Sequence, residues 1–129
     1  MTMWTSDELT KIGKAEELQI ASLRGDGTQR NPRTIWVVHL ADELYVRSVY
    51  GRTSAWFRGT QVRHEGHIRA GGVAKDVTFV EEADPAINDQ IDGAYRIKYR
   101  RYAASIIDSI VSPEARSATI KLVPRPTSS

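Results

Sequence analysis

A small antiparallel barrel is the fold class that this sequence of 129 residues predicts. Three observations support a mainly β protein of this kind. About six short segments have the apolar or alternating pattern of strands, one longer apolar stripe is typical of a helix, and no GxGxxG turn is present. Without that turn, a doubly wound dinucleotide-binding sheet is a poor interpretation. We expect a single domain over residues 1–124, with residues 125–129 as a flexible tail.

The N-terminal part predicts a short helix followed by a strand. Thr5 and Glu8 have the spacing of a capping box, in which each residue satisfies a free backbone N–H of the other. The segment from Leu18 to Arg24 suits a strand, and a helix running through Leu18 is the alternative. Gly25, Asp26 and Gly27 then form a turn.

The middle of the chain predicts a hairpin. Residues Thr34–Leu40 are apolar on both faces, which indicates an interior strand covered on both sides. Residues Leu44–Val49 return as the second arm, with Leu44 and Val46 on one face and Tyr45 and Arg47 on the other. Residues 54–58 follow as a short helical or irregular turn.

The C-terminal half predicts two more strands, a long helix and a last strand. The strands are residues 66–70 and 73–81, and the last strand is residues 118–123. Pro85 is pre-set for the first turn of a helix, which we expect to run from Pro85 to Val111. Its apolar stripe steps by three or four residues through Ile87, Ile91, Tyr95, Lys98, Tyr102, Ile106 and Ile110.

Composition excludes several classes of function. The chain has no cysteine, which excludes disulfides, thiolate metal sites and a cysteine nucleophile and agrees with a cytoplasmic protein. A net charge of +2, with acids on both sides of the basic middle, predicts no nucleic-acid partner. No apolar run approaches the roughly 20 residues of a membrane span, so no membrane partner is expected, and the first residues lack the pattern of a signal peptide.

A cluster of arginines and hydroxyls between Gly25 and Arg58 is the candidate site. Forked guanidinium donors match phosphate oxygens, and hydroxyls add further donors. We expect Arg33, Arg47 and Arg52 to converge on one phosphate. The alternative is a solvated strand edge whose charges discourage aggregation. The full set of binding candidates is Arg33, Thr34, Arg47, Ser48, Arg52, Ser54 and Trp56.

The histidines predict no metal site. His64 and His67 share a face only on a helix, whereas Gly66 and the strand pattern after it argue for an extended segment. His39 lies within an apolar strand, where it is expected to be a hydrogen-bonded core or interface residue, although a histidine can also donate a proton.

Lys98 is unusual because it lies on the apolar stripe of the predicted long helix. Its stem can lie along apolar surface with the amine in water, which is the simpler interpretation. The alternative is an amine aimed into a pocket beside Tyr95 and Tyr99. No GxSxG elbow is present, and no catalytic residue is assigned.

Several segments together resemble a family known as domain of unknown function 2255. The resemblance extends over nearly the whole chain and implies no particular reaction. It is carried by Arg33–Val38, Leu44–Ser48, Gly51–Arg52, Trp56–Arg58, Ile91–Tyr95, Lys98–Tyr99 and Ala118–Pro124.

More distantly, the middle of the chain is similar to the flavin-binding split barrels, which include pyridoxamine phosphate oxidases and deazaflavin-dependent nitroreductases. This similarity implies a six-stranded split β-barrel of Greek-key type, a homodimer, and FMN or a deazaflavin coenzyme at the subunit interface. Trp56 would flank the ring system or the ribityl chain. The deazaflavin branch has a Gly-x-x-Arg-x-x-Pro stretch, whereas Gly27–Pro32 has its proline one place early, so both cofactors remain open.

The resemblance therefore implies an oxidoreductase that uses a flavin or deazaflavin on an unknown substrate. Because the cofactor carries the hydride or electrons, such a protein needs no catalytic triad. A second interpretation is a non-catalytic barrel that binds another phosphorylated or anionic small molecule.

Overall fold

One antiparallel sheet of seven strands, curled into a half-barrel, organises the part of the chain that the computed structural model describes, residues 3–125. Helices cover the two faces of the sheet. In chain order the elements are α1 (Ser6–Lys14), β1 (Leu18–Ser22), β2 (Arg33–Ile35), β3 (Val38–Leu40), β4 (Glu43–Arg47), a 3-10 turn (Gly51–Thr53), α2 (Ala55–Arg63), β5 (Glu65–Ala70), β6 (Val73–Glu81), α3 (Pro85–Lys98), α4 (Ala104–Ile110), α5 (Pro113–Arg116) and β7 (Thr119–Pro124).

The strand order explains why the sheet curls. The order is β2-β1-β5-β6-β7-β4-β3, so β2 and β3 lie at opposite edges. In the chain, however, only Trp36 and Val37 separate them. Three Cα steps span at most about 11 Å. The two edges must therefore approach each other at this point, and the sheet bends into an open barrel with a split between β2 and β3.

The prediction of one interior strand over Thr34–Leu40 is wrong, because this segment forms two edge strands. Within the split, side chains replace a neighbouring strand as hydrogen-bond partners of Val37. Its carbonyl accepts from Lys98 Nζ at 2.6 Å, and its N–H donates to Tyr99 Oη at 3.3 Å. The same hydroxyl donates to the carbonyl of Glu16 at 2.7 Å. The apolar character on both faces reflects two clusters, since Ile35 and Val37 pack in one and Trp36, Val38 and Leu40 in another. The seventh strand arises from the break.

The prediction of one long helix from Pro85 to Val111 is also wrong. Helix α3 ends at Lys98, and α4 begins only at Ala104. Tyr99 caps α3 and turns its side chain into the split, so the chain leaves the helix there. Ile91, Tyr95 and Ile110 of the predicted apolar stripe nevertheless pack in one cluster against the sheet, whereas Ile106 is exposed. The start is as expected, with Asp84 as N-cap and Pro85 in the first turn.

Other local predictions are confirmed. The Thr5 and Glu8 capping box is formed, with both hydrogen bonds between 2.9 and 3.1 Å. The hairpin pairs β3 with β4, and β5, β6 and β7 match their predicted segments within one or two residues. The short turn after Ser54 is longer than expected and forms α2. Of the proposed tail, residues 126–129 lie outside the described residues.

Two apolar clusters pack on opposite faces of the sheet. The strands, α1 and α2 enclose the larger cluster, which includes Trp4, Ile12, Phe57, Ile68 and Leu122. The smaller cluster lies beneath α3 and α4 and consists of Val38, Tyr45, Ile91, Tyr95, Tyr99 and Ile110. Within residues 3–125, no helix combines the length and apolar character needed to cross a membrane.

Candidate functional site

A groove of about 560 Å³ lies where β2, the end of β4, the start of α2 and α4 meet. It brings together five of the seven predicted site residues, namely Arg33, Thr34, Arg47, Ser54 and Trp56. The rest of its lining is mostly apolar and consists of Ile35, Trp36, Val49, Tyr50, Ala55, Ile106, Ser109 and Ile110.

Two tryptophans give the groove flat apolar walls. Trp36 stacks on Tyr99 with the ring centroids 3.8 Å apart and the planes 3° from parallel, which fixes its orientation. Trp56 packs edge-on against Phe57 at 6.2 Å. Such surfaces suit a planar, largely apolar group, because aromatic faces stack well with other ring systems.

Arg47 occupies a different role from the one predicted. Its side chain is fully buried, and all five of its N–H donors have acceptors within the protein. Nε donates to Thr119 Oγ1 at 2.9 Å, one Nη donates to Asp92 and the carbonyl of Ile110, and the other donates twice to Asn88. No N–H of Arg47 is left for a phosphate, so this arginine ties β4 to α3 and β7.

The two predicted serines hold the start of α2. Ser48 is fully buried, and its hydroxyl lies 2.7 Å from the hydroxyl of Ser54. Ser54 Oγ in turn accepts from the backbone N–H of Phe57 and caps the helix. This pair fixes the wall of the groove from which Trp56 projects.

Arg52 does not join the other predicted arginines. It donates to Glu81 at 2.5 Å and to the carbonyl of Ser117 at 2.9 Å, beside a separate polar hollow. The ion pair lowers the pKa of the Glu81 carboxyl. Gly51, just before Arg52, has a φ of +75°, a conformation that favours glycine. The expected convergence of Arg33, Arg47 and Arg52 on one phosphate is therefore not formed.

A second hollow of about 200 Å³ adjoins the groove and is lined by Arg24 and Arg30 together with Arg33. The hollow shares Arg33, Ala55 and Trp56 with the groove. Within residues 3–125, none of the three guanidinium groups forms an ion pair with a carboxylate. Three arginines and no aspartate or glutamate line this hollow, which makes it attractive to an anion.

Arg30 has an unsatisfied hydrogen-bond donor in the hollow. Its Nε is buried and has no hydrogen-bond partner within residues 3–125. Gly59 of α2 makes this position possible, because a Cβ there would lie 2.6 Å from Ser22 Oγ and 3.1 Å from the Arg30 side chain. A buried donor without an acceptor is costly, and an anion entering the hollow would supply one.

Sequence reasoning missed Arg24, Arg30 and Ser22 as parts of the candidate site. The local pattern contains a usable indication, since Arg24 and Arg30 flank the glycine turn at residues 25–27. A bridge between Leu23 and Gln29 brings the two sides of this loop together. Arg24 also donates to Gln29 O at 2.9 Å, which holds it against its own turn.

Three residues considered for chemistry lie away from this site. Lys98 donates to Val37, and burial lowers the pKa of its amine to about 8. Burial raises the pKa of the phenol of Tyr95, a buried residue of α3. His39 is exposed, with Nε2 2.5 Å from the carbonyl of Ala41. None of the three lines the aromatic groove or the arginine hollow.

The remaining two histidines have local partners. His64 ends α2 in the left-handed conformation. His67 Nδ1 lies 3.0 Å from Asp76 on the neighbouring strand. No group of three or more histidine or carboxylate side chains suited to a metal ion occurs within residues 3–125.

Comparisons with known proteins agree with the fold and give a family. The model of a family described as uncharacterised protein conserved in bacteria (DUF2255) matches residues 8–122. No curated protein matches the chain. These findings confirm the family resemblance that the sequence motifs indicated.

Three solved structures are similar to this chain over nearly its whole length. A Listeria innocua protein assigned as a pyridoxamine 5'-phosphate oxidase has 16% identity and a TM-score of 0.63, covering 92% of this chain and 90% of its own. An F420 reductase has 13% identity and a TM-score of 0.54, with 92% of each chain covered. A FAD-binding protein of Mesorhizobium loti has 15% identity and a TM-score of 0.58, covering 97% and 93%. At these identities the likeness establishes the split-barrel fold alone.

Proposed function

The chain belongs to the DUF2255 family of bacterial proteins, and for it we propose binding of a phosphorylated flavin-type cofactor, either FMN or a deazaflavin coenzyme. The planar ring system lies in the aromatic groove, and the phosphate lies in the arginine hollow. The protein then acts as an oxidoreductase on a separate small molecule. The described solved structures support the choice of cofactor class, since their names include F420 and FAD.

The observation that carries the proposal is the buried Nε of Arg30, which has no hydrogen-bond partner within residues 3–125 and lies in a hollow that Arg24 and Arg33 also line. Forked guanidinium donors satisfy phosphate oxygens, and each charge-assisted hydrogen bond contributes about 1.5–3 kcal/mol. Arg33 belongs to both the hollow and the groove, so one molecule with a ring and an anionic tail would contact both.

The protein's own residues bind, orient and shield the cofactor. Trp36, held by its stack on Tyr99, and Trp56, on the capped start of α2, form rigid walls for a ring. Thr34 and Ser54 contribute hydroxyls at the groove lining. When bound, the flavin or deazaflavin supplies the hydride or electron transfer.

We also propose that two copies of the chain form a homodimer over this site. Val49, Tyr50 and Ile106 are 38%, 75% and 46% exposed at the lining of the groove, although all three are large and apolar. Exposed apolar side chains around a groove are typical of an interaction surface. Sedimentation at increasing concentration tests this part, and a species of 14.4 kDa throughout would contradict it.

A titration with FMN and riboflavin tests the binding proposal directly. The two molecules share the ring system, and only FMN carries the phosphate. We expect FMN to bind at least tenfold more tightly, measured by flavin fluorescence, and the deazaflavin coenzyme is titrated in parallel. Equal affinities for FMN and riboflavin would contradict a phosphate in the arginine hollow, and no binding of any of the three would overturn the proposal.

A second candidate is a non-catalytic barrel that binds another phosphorylated small molecule. The observation in its favour is that the arginine hollow is a compact recess beside the groove, so a phosphate has a place without a ring. Binding of ribose 5-phosphate with an affinity above that of FMN would favour this function. Reduction or oxidation of a bound flavin by a dithionite and air cycle, with retained binding, would favour the first.

A further inference from the structure

A larger groove of about 710 Å³ lies on another side of the molecule, between α1, β3 and α3. It shares no lining residue with the aromatic groove or the arginine hollow. Its lining consists of Leu9, Thr10, Gly13, Lys14, Val38, His39, Leu40, Gln90, Gly93, Ala94, Ile97 and Lys98.

The acidic and basic side chains that line this groove include lysines and no carboxylates. Lys14 and Lys98 are among its lining residues, and the lining includes no aspartate or glutamate. The Lys98 ammonium donates to the carbonyl of Val37 at 2.6 Å and lies 5.1 Å from the centre of the Tyr99 ring. Within residues 3–125, neither lysine forms an ion pair with a carboxylate. Lys98 therefore keeps N–H donors for an anion.

The rest of the lining is largely apolar. Leu40, Ala94 and Ile97 line it from β3 and α3, and Ile97 is 68% exposed although it is a large aliphatic side chain. Gly93 leaves open space on α3, since a Cβ there would meet nothing within 4 Å. A cationic end beside an aliphatic surface matches a molecule with an anionic head and an apolar body.

We propose that this groove binds a small amphipathic monocarboxylate, with its carboxylate on the Lys98 ammonium and its aliphatic chain along Leu40, Ala94 and Ile97. Charge complementarity favours an anionic ligand, because two lysines and no aspartate or glutamate line the groove. The volume of the groove and its leucine and isoleucine lining favour a ligand with a small aliphatic chain. A ligand here occupies a site separate from that of the proposed cofactor, so either proposal can fail alone.

The first test compares octanoate with octanamide, which has the same chain and no charge. We expect octanoate to bind the wild-type protein at least tenfold more tightly by isothermal titration calorimetry. Lys98→Met should remove this preference, while Lys11→Met, which alters a lysine of α1 that does not line the groove, should keep it. Equal binding of octanoate and octanamide to the wild-type protein would overturn the proposal.

A second variant tests the groove without replacing Lys98, because the Lys98 amine donates to the Val37 carbonyl and its loss would weaken folding. Gly93→Leu fills the open space in the groove and leaves Lys98 in place, and leucine favours a helix more than glycine does. We expect at least a tenfold loss of octanoate affinity with an unchanged circular dichroism spectrum. Unchanged affinity in a folded Gly93→Leu protein would contradict the assignment of the groove.

A pH series separates the ammonium from apolar contacts. Burial lowers the pKa of Lys98 to about 8, and the other titratable groups lining the groove are Lys14 and His39. Octanoate affinity should fall as pH rises from 7 through the range above 8, where free Lys98 loses its charge, and octanamide affinity should stay constant. A pH-independent preference for octanoate over octanamide would place the carboxylate elsewhere and overturn the proposal.

Discussion

Two sets of arginines in this protein have opposite environments. Arg47, beneath α3, is fully buried, and every N–H donor has an acceptor. Arg24, Arg30 and Arg33, beside β1 and β2, have no carboxylate partner within residues 3–125, and one buried nitrogen of Arg30 has no acceptor. A buried charge is stable only when its hydrogen bonds are complete. The first set therefore maintains the fold, and the second is suited to a ligand.

The local architecture explains the contrast. Arg47 and Tyr45 lie on the face of β4 that α3 covers, and Asn88 and Asp92 are four residues apart on that helix, so both reach the same guanidinium. Arg116 then donates to the second oxygen of Asp92 at 2.6 Å. Arg24 and Arg30, by contrast, flank a turn, where no helix supplies acids.

The largest effect should come from Arg47→Met. This substitution removes the Arg47 hydrogen bonds to Asn88, Asp92 and Thr119. Removing one member of a buried charged network typically costs about 3–5 kcal/mol. Urea unfolding followed by circular dichroism measures the loss. Arg33→Met is the matched control, because Arg33 is exposed, and its unfolding free energy should change by less than about 0.5 kcal/mol. Equal losses in both variants would remove the contrast between the two sets.

The next effect concerns ligand affinity at the arginine hollow. Arg30→Ala should weaken FMN binding by about tenfold to a hundredfold, since it removes charge-assisted hydrogen bonds to the phosphate. Riboflavin binding should change little. Arg100→Ala, an exposed arginine outside both pockets, is the control and should leave FMN binding unchanged. A parallel loss for riboflavin would show that Arg30 supports the shape of the site and not the phosphate.

Tyr99→Phe tests the hydrogen bonds that complete the α3 side of the molecule. The hydroxyl accepts from the N–H of Val37 and donates to the carbonyl of Glu16, and a buried backbone group left unsatisfied costs about 1–3 kcal/mol. Thermal and urea unfolding should show that loss. Tyr102→Phe, in the same aromatic cluster, should change stability by less than about 0.5 kcal/mol. An unchanged stability of Tyr99→Phe would mean that the split does not depend on the Tyr99 hydroxyl.

The smallest effect should come from Arg52, whose ion pair with Glu81 is about half exposed. Arg52→Gln should cost less than about 1 kcal/mol because solvent screens such pairs. The pKa of Glu81 is lowered from 4.5 in the folded protein, so the pair's contribution is present above pH 4.5. It should disappear as pH falls through the lowered folded value, and urea unfolding of both proteins across this range measures it. A difference that persists in strong acid would point to the hydrogen bond with Ser117.

The local pattern of residues was sufficient for much of the secondary structure. The Thr5 capping box, the start of α3 at Pro85 and the alternation of faces along β4 depend on neighbours only a few residues away, and all three are as predicted. The arginines and hydroxyls between Gly25 and Arg58 also predicted an anion site, which stays a prediction. The combination of motifs was sufficient to identify the family, because the family match extends over most of the chain.

Tertiary structure alone decided where strands and helices break and which arginines are free. The break at Trp36 and Val37 exists because Lys98 and Tyr99, about sixty residues away in the chain, satisfy the Val37 backbone. The role of Arg47 depends on Asn88, Asp92 and Thr119, which reach it only after α3 and β7 have packed. A guanidinium group has the same donors in every sequence context. Which acceptors reach it is decided by the packing of distant segments.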